Sequence, residues 1–342
     1  MNQVTLHNDS IYQVKVPLPF PLRWVNSYLI RGSSGYTVID PGLHTEAAVQ
    51  YWDSVLQSLQ IGYQDIEQVV LTHHHPDHYG LTGWFQERSG APVRLSSAGA
   101  EQVRRLWGTG QPMTSGVLEL FRRHGLPDEL GTTMREHMDS FVPMVSPQPE
   151  LSVLTIGDDL RLGDRMYETV HTPGHAFGHV CFYQKDQRHM FCGDQVIPQI
   201  SPNVSYLPGG IDENPLASFL RSLKELSVYD VAQAYPGHRE PFGTFNSRIQ
   251  ELLAHHESRL QVMYSLLEDQ PLTAYQVCRA TFGERLSLHQ LRFALSETLA
   301  HLIYLREVGR LQETESGGVI TYGPADGDGS QSNPIEENRT AT

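Results

Sequence analysis

Along the first 245 residues, short apolar runs alternate with polar or Gly/Pro-rich breaks, the pattern of strands joined by turns. Residues 11–16 (IYQVKV) alternate apolar and polar and predict a strand; Pro17, Pro19 and Pro21 then hold an extended loop before a second strand over 24–30. Gly32 to Gly35 reads as a hairpin turn into a strand ending at Asp40. Within 44–59, Ala48, Tyr51, Trp52, Val55, Leu56 and Leu59 recur at helical spacing and predict a helix lying on the sheet. The apolar run 66–71 predicts a buried strand, 81–88 a short helix and 92–95 another strand. Further strands are expected over 151–156, 159–162, 166–171, 179–183 and 189–192, then a helix over 216–226 and a last strand over 231–235.

Residues 98–149 differ in character. Amphipathic helical pieces are expected near 98–107, 115–124 and 127–140, followed by a Pro-rich exit over 143–149. Trp107, Met113, Leu118, Phe121, Met134, Met138 and Phe141 give this insertion a large apolar surface. Two readings compete: a lid that shapes an apolar substrate pocket, and a helical pair that covers one sheet edge. Near residue 245 the pattern changes again. A long helix over 246–267 with Asn246 or Ser247 as cap, helices over 273–282 and 287–305, and a ribbon of 308–312 with 319–322 across Ser316-Gly317-Gly318 are expected. The domain reading is therefore 1–245 with the insertion inside it, a small module over 246–322, and a Gly/Asp/Ser-rich tail over 323–342 expected to be disordered.

Four strand ends carry metal-competent side chains. The run Thr72-His73-His74-His75-Pro76-Asp77-His78 follows the strand at 66–71, and Pro76 places its histidines on the loop leaving that strand. His73 and His75, two apart, can grip one ion, and Asp77 and His78 can reach a second. His175, Asp194 and His238 then close three later apolar runs, each on a turn shaped by Pro or Gly. The competing reading, a histidine-rich polar turn, loses weight as these partners accumulate. His74 is expected to face away, and His171 and His179 to serve as hydrogen-bond partners rather than ligands. His255 and His256 read as a polar helix face with no special role. Gly209-Gly210 reads as a loop turn, not a phosphate cradle.

With T-H-x-H-x-D-H at 72–78, a lone His175, a lone Asp194 and a last His238, the sequence resembles the metallo-β-lactamase superfamily over roughly residues 10–245. The resemblance implies an α/β, four-layer αββα sandwich. It implies one metal on His73, His75 and His175, a second on Asp77, His78 and His238, and Asp194 bridging them. It also places Asp40, in Asp40-Pro41-Gly42, beneath the metal loop. Imidazole and carboxylate donors suit two divalent ions, zinc first, with manganese or iron as alternatives. Such a pair activates a shared water to hydroxide near neutral pH. The implied activity is hydrolysis of a small ester, thioester or lactone, with Asp77 and His78 at the chemistry and Tyr206 a candidate oxyanion donor. A carboxylate at 194 makes the site more similar to glyoxalase II than to antibiotic-degrading relatives. A phosphodiesterase or ribonuclease and a mononuclear iron sulfur dioxygenase stand as alternatives; the full ligand set argues against a binding protein that merely keeps the fold. The module over 246–322 resembles a winged helix.

Charge narrows the partners. The net charge is −14, from 39 acidic and 25 basic residues, and 246–322 carries seven arginines and no lysine against nine acidic residues. Phosphate-backbone binding needs clustered basic residues, so a small-molecule substrate is expected rather than nucleic acid. The apolar C-terminal module leaves a homodimer open. Three cysteines, Cys181, Cys192 and Cys278, form no C-x-x-C pair and read as buried reduced thiols. With no signal-peptide pattern over residues 1–10 and no apolar run long enough to span a bilayer, a cytoplasmic location is expected.

Overall fold

The computed structural model describes residues 4–8, 10–108, 112–209 and 211–325. Most of the expected tail (326–342) and Gly210 of the Gly-Gly turn lie outside the described residues. A seven-stranded sheet runs in the order β1 (Val4–His7), β2 (Ile11–Pro17), β3 (Trp24–Arg31), β4 (Tyr36–Ile39), β5 (Ile66–Val70), β6 (Val93–Ser96), β7 (Leu151–Leu154). Pairing is antiparallel from β1 to β4 and parallel from β4 to β7. A five-stranded sheet has the order β12 (Gln233–Pro236), β11 (His189–Gly193), β10 (Val180–Gln184), β9 (Arg165–His171), β8 (Asp159–Leu162), with only the β11–β12 pair parallel.

Strand alternation builds two cores from the first sheet. Val25 and Leu29 of β3, Val38 of β4 and Val69 of β5 face the helical layer, where they meet Trp52, Val55 and Phe85. Their neighbours Tyr28, Ile30, Ile39 and Val70 face the other way and pack with Val180, Phe182, Phe191 and Tyr235 of the second sheet. This is the mixed α/β sandwich expected from the sequence. Helix α1 (Glu46–Leu59) begins where the Thr45 hydroxyl accepts the Ala48 amide at 3.1 Å and ends at Gln60 in the left-handed region. Its apolar stripe buries Ala48, Trp52, Val55 and Leu56. Trp52 also donates its indole N–H to Pro41 O at 2.8 Å, pinning the loop that follows β4. Helices α2 (Pro76–Tyr79), α3 (Thr82–Ser89) and α4 (Ser97–Trp107) follow β5 and β6.

Compactness divides the chain into two units. One comprises the described residues of Met1–Thr114, Met138–Pro202 and Ser218–Leu253; the other comprises those of Ser115–His137, Asn203–Ala217 and Ala254–Thr342. The remaining helices are α5 (Pro112–Arg123), α6 (Gly131–Asp139), α7 (Pro215–Leu226), α8 (Phe245–Ser265), α9 (Ala274–Phe282) and α10 (Leu288–Glu307), and the second unit ends in the ribbon β13 (Leu311–Ser316) with β14 (Val319–Pro324). Inside that unit the inserted helices join the C-terminal segment. Tyr275 N donates to His124 O at 3.1 Å, Arg123 pairs with Glu315 at 2.9 Å, and His124 stacks on Tyr322. β14 reaches two residues into the segment read as tail.

One expectation is corrected here. His256 is buried, and its Nδ1 lies 3.1 Å from Nε2 of the buried His301. It shares a helical stripe with Leu252 and Leu260, four residues to either side and both buried, so periodicity overrides the polar character of the side chain. Burial, with His301 beside it, holds His256 down to about 2.

Candidate metal centre

The centre is built at the carboxyl ends of strands from both sheets, within the first unit. Asp40 leaves β4 with a left-handed φ of 51°, which few non-glycine residues adopt. Its buried carboxylate accepts the Thr72 amide at 2.8 Å, the Thr72 hydroxyl at 2.6 Å and His78 Nδ1 at 3.0 Å. Because the Thr72 hydroxyl spends its proton on Asp40, it accepts from His73 Nδ1 at 2.9 Å. One carboxylate thereby sets the tautomer of two histidines, leaving a lone pair on Nε2 of each.

His73 Nε2 then stands 3.0 Å from His75 Nδ1 and 3.3 Å from His175 Nε2. On the other side, His238 Nε2 lies 3.2 Å from Asp77 Oδ2, and His78 Nε2 lies 3.8 Å from the same oxygen. Asp194 stands between the groups: its carboxylate is 3.6 Å from His175, 3.5 Å from His78 and 3.4 Å from His238. The triads His73–His75–His175 and Asp77–His78–His238 each bring three donor atoms within 4.8 Å of one another, as does Asp40–His73–His78. All seven residues singled out as ligands come together. His74 lies in neither of the two expected triads and is buried, with no hydrogen bond to either ring nitrogen among the described residues. His171 bonds Phe177 O at 2.8 Å. Tyr206 belongs to the second unit, where its amide donates to Ser296 O at 3.1 Å.

Electrostatics divides the donors. Burial and the neighbouring imidazoles keep His73 and His75 well below the ordinary histidine range, so these rings are neutral and ready to donate lone pairs. Burial also lowers His238, but the carboxylates of Asp194 and Asp77 outweigh it and carry the ring up to about 10. His78 is raised in the same way by Asp194, Asp77 and Asp40. Burial raises Asp194, yet His238 and His78 hold its carboxyl well below the usual range. The residues fit cations: His78 Nε2 and Asp194 Oδ1 are buried with no hydrogen bond among the described residues, and imidazole nitrogens and carboxylate oxygens converge at metal-ligand spacing.

Some supporting residues were not legible as such. Gly237 closes on the site so tightly that a Cβ there would stand 2.2 Å from Asp194 Oδ1 and 2.6 Å from His78 Cε1. Asn26, buried in β3, donates to Pro236 O at 3.0 Å and also to Arg239 O, bracing the loop that bears His238. His238 Nδ1 donates to Trp24 O at 3.1 Å. The usable signals were a polar Asn26 in an apolar strand and a glycine beside a ligand.

Comparison with known proteins bears on this geometry. Residues 22–238 match the metallo-beta-lactamase superfamily, and 260–325 match the metallo-beta-lactamase-like C-terminal domain. The chain belongs to the metallo-beta-lactamase superfamily. A superfamily protein of Thermus thermophilus has a solved structure that superposes with a TM-score of 0.80 at 35% identity, covering 92% of this chain and 98% of that one. The probable metallo-hydrolase YqjP of Bacillus subtilis is 28% identical over 321 residues, 92% of this chain and 98% of its own length. The acyl-coenzyme A thioesterase MBLAC2 of Gallus gallus is 27% identical over 243 residues, 70% of this chain and 81% of its own. Superfamily membership implies divalent metal use, and the His/Asp groups described above could hold the ions. Among the described residues no helix is long and apolar enough to cross a membrane.

Proposed function

We propose that the chain is a binuclear metal-dependent hydrolase of small thioesters, esters or lactones, with the thioester the first class to test. The observation that carries this reading is the shared position of Asp194, whose two oxygens face histidines of both triads. Similarity to an acyl-coenzyme A thioesterase supports the choice of a thioester. His73, His75 and His175 would hold one ion, Asp77, His78 and His238 the other, and Asp194 both. Two such ions, when bound, acidify a shared water and polarise a carbonyl oxygen.

The chain's own residues orient the donors. Asp77, the partly exposed carboxylate of the set, presents Oδ2 3.2 Å from His238 Nε2; burial raises its carboxyl, yet His78 and His238 hold it below the usual range, in the ionised form that a cation requires. Asp40 holds His78 with its Nε2 turned toward the carboxylates of Asp194 and Asp77. A nuclease reading fares worse, because the −14 charge repels a phosphate backbone.

The test is metal analysis of the purified protein followed by a panel of thioesters, lactones, bis-p-nitrophenyl phosphate and short RNA with zinc, manganese and iron. Two equivalents of metal and thioester or lactone turnover are expected, with Asp77→Ala abolishing turnover while leaving the melting curve of the metal-free protein unchanged. A single iron, or full activity in Asp77→Ala, would refute the binuclear assignment.

A further inference from the structure

His179 lies outside both triads, yet it sits where three ligand-bearing loops meet. Its ring is fully buried. Its Nε2 accepts the backbone N–H of Asp194 at 3.2 Å. An imidazole nitrogen that accepts cannot also carry the proton, so the proton is on Nδ1, 2.7 Å from the Thr172 hydroxyl. Thr172 in turn lies on the loop bearing His175, and that loop is closed by Thr172 N donating to His179 O at 3.0 Å and His179 N donating to Ala176 O at 3.1 Å. The next residue, Val180, donates its amide to Thr72 O at 2.9 Å, tying in the loop that bears His73, His75, Asp77 and His78.

The ring is also wedged. A Cβ at Gly193, whose φ of 45° lies in the left-handed region, would stand 2.6 Å from His179 Nε2 and 2.7 Å from the Thr72 hydroxyl oxygen. No side chain fits between the imidazole and the strand end that delivers Asp194. The Asp194 backbone is thus held at its height above the two triads by its own N–H bonding to a rigidly held ring, beside the Gly237 N–H bond to Gly193 O at 2.8 Å.

We propose that His179 is a positioning residue that holds the shared carboxylate at the level where it reaches both triads, with Thr172 enforcing the required tautomer. This rests on the binuclear reading above and extends it to a residue that touches neither ion nor substrate. A ligand's outer partners govern metal affinity even when they donate nothing to the metal, typically by roughly 10–100-fold.

The experiment compares the full-length parent with His179→Gln, His179→Leu and Thr172→Val. Zinc affinity is read by competition with a chromophoric chelator, and the Asp194 amide resonance is followed in the metal-free proteins. Glutamine offers an amide oxygen that can accept the Asp194 N–H, so it should keep most of the affinity and a bonded amide shift. Leucine cannot accept, so zinc affinity should fall by roughly 10–100-fold and the amide shift should move. Equal loss in Gln and Leu would mean that the ring acts by packing alone, and parental affinity in Leu would remove the role altogether; either result overturns the proposal. Should Leu fail to fold, Thr172→Val decides, because a freed Nδ1 lets the wrong tautomer form. A weaker zinc site in that variant supports the proposal, and unchanged affinity refutes it. Absence of a second zinc equivalent in the parent would instead count against the binuclear reading, while the Asp194 amide shift would still report on the hydrogen bond.

Discussion

Replacing Asp40 with Asn separates the charge of that residue from its shape. Asn tolerates the left-handed φ of 51° better than most residues, so the backbone is not the perturbation. The parent carboxylate accepts three hydrogen bonds, one at Oδ1 from the Thr72 amide and two at Oδ2 from the Thr72 hydroxyl and His78 Nδ1. An amide can accept on one side only. With its NH2 group toward the Thr72 amide, two buried donors face each other, at a cost of about 1–3 kcal/mol. With the amide flipped, NH2 meets both the Thr72 hydroxyl and His78 Nδ1, and the ring accommodates it only by moving its proton to Nε2. That proton occupies the lone pair that faces Asp194 at 3.5 Å. The first outcome loosens the metal loop at Thr72 and the second weakens the triad of Asp77, His78 and His238 through His78 itself; loss of such a supporting bond lowers metal affinity by roughly 10–100-fold, equivalent to about 1.4–2.8 kcal/mol. Metal stoichiometry, zinc competition and a thermal melt of the metal-free protein measure both branches. An Asn variant with two ions at parental affinity and a parental melt would refute the idea that Asp40 sets the tautomers.

Gly237→Ala should expel metal without unfolding the sheet, since its Cβ would overlap Asp194 Oδ1 at 2.2 Å; a variant with parental metal content would show that the carboxylate has other room. In the second unit, burial pushes the Glu297 carboxyl from 4.5 up to about 7, with Arg259 and Asn203 opposing. Between those values the folded chain holds a proton that the unfolded chain has lost, so stability falls as pH rises from the lower to the upper value. Glu297→Gln should flatten that slope, worth on the order of 3 kcal/mol. Denaturant titrations at pH 4 and pH 8 check this, and an identical pH dependence in parent and variant would contradict it.

The metal loop was legible because its donors are neighbours in sequence and their spacing alone brings them together. His175, Asp194 and His238 were legible through family resemblance and their place at strand ends. Of the supporting shell, resemblance put Asp40 beneath the metal loop and His179 was read as a hydrogen-bond partner, but the long-range bond of Asn26 to Pro236 and the atoms that Asp40 and His179 bind could not be read from sequence. β1 was missed since its four residues bury little and owe their conformation to pairing with β2. His256 was misread because a histidine pair looks polar, whereas the stripe it shares with Leu252 and Leu260 decides where it points. The second unit escaped a reading in chain order, since Gly125 packs on Thr273 and Arg123 pairs with Glu315 across long stretches of sequence.

The donors of the centre come from the loops after β5 in the first sheet and after β9, β11 and β12 in the second. An ion gripped by His73, His75 and His175 is therefore a crosslink whose ends belong to different sheets. Stripping it with a chelator leaves each sheet's internal ladder whole and relaxes only the seam between them. Amide exchange should quicken first along that seam, at the carboxyl ends of β5 and β9, while the ribbon of β13 and β14 keeps its protection.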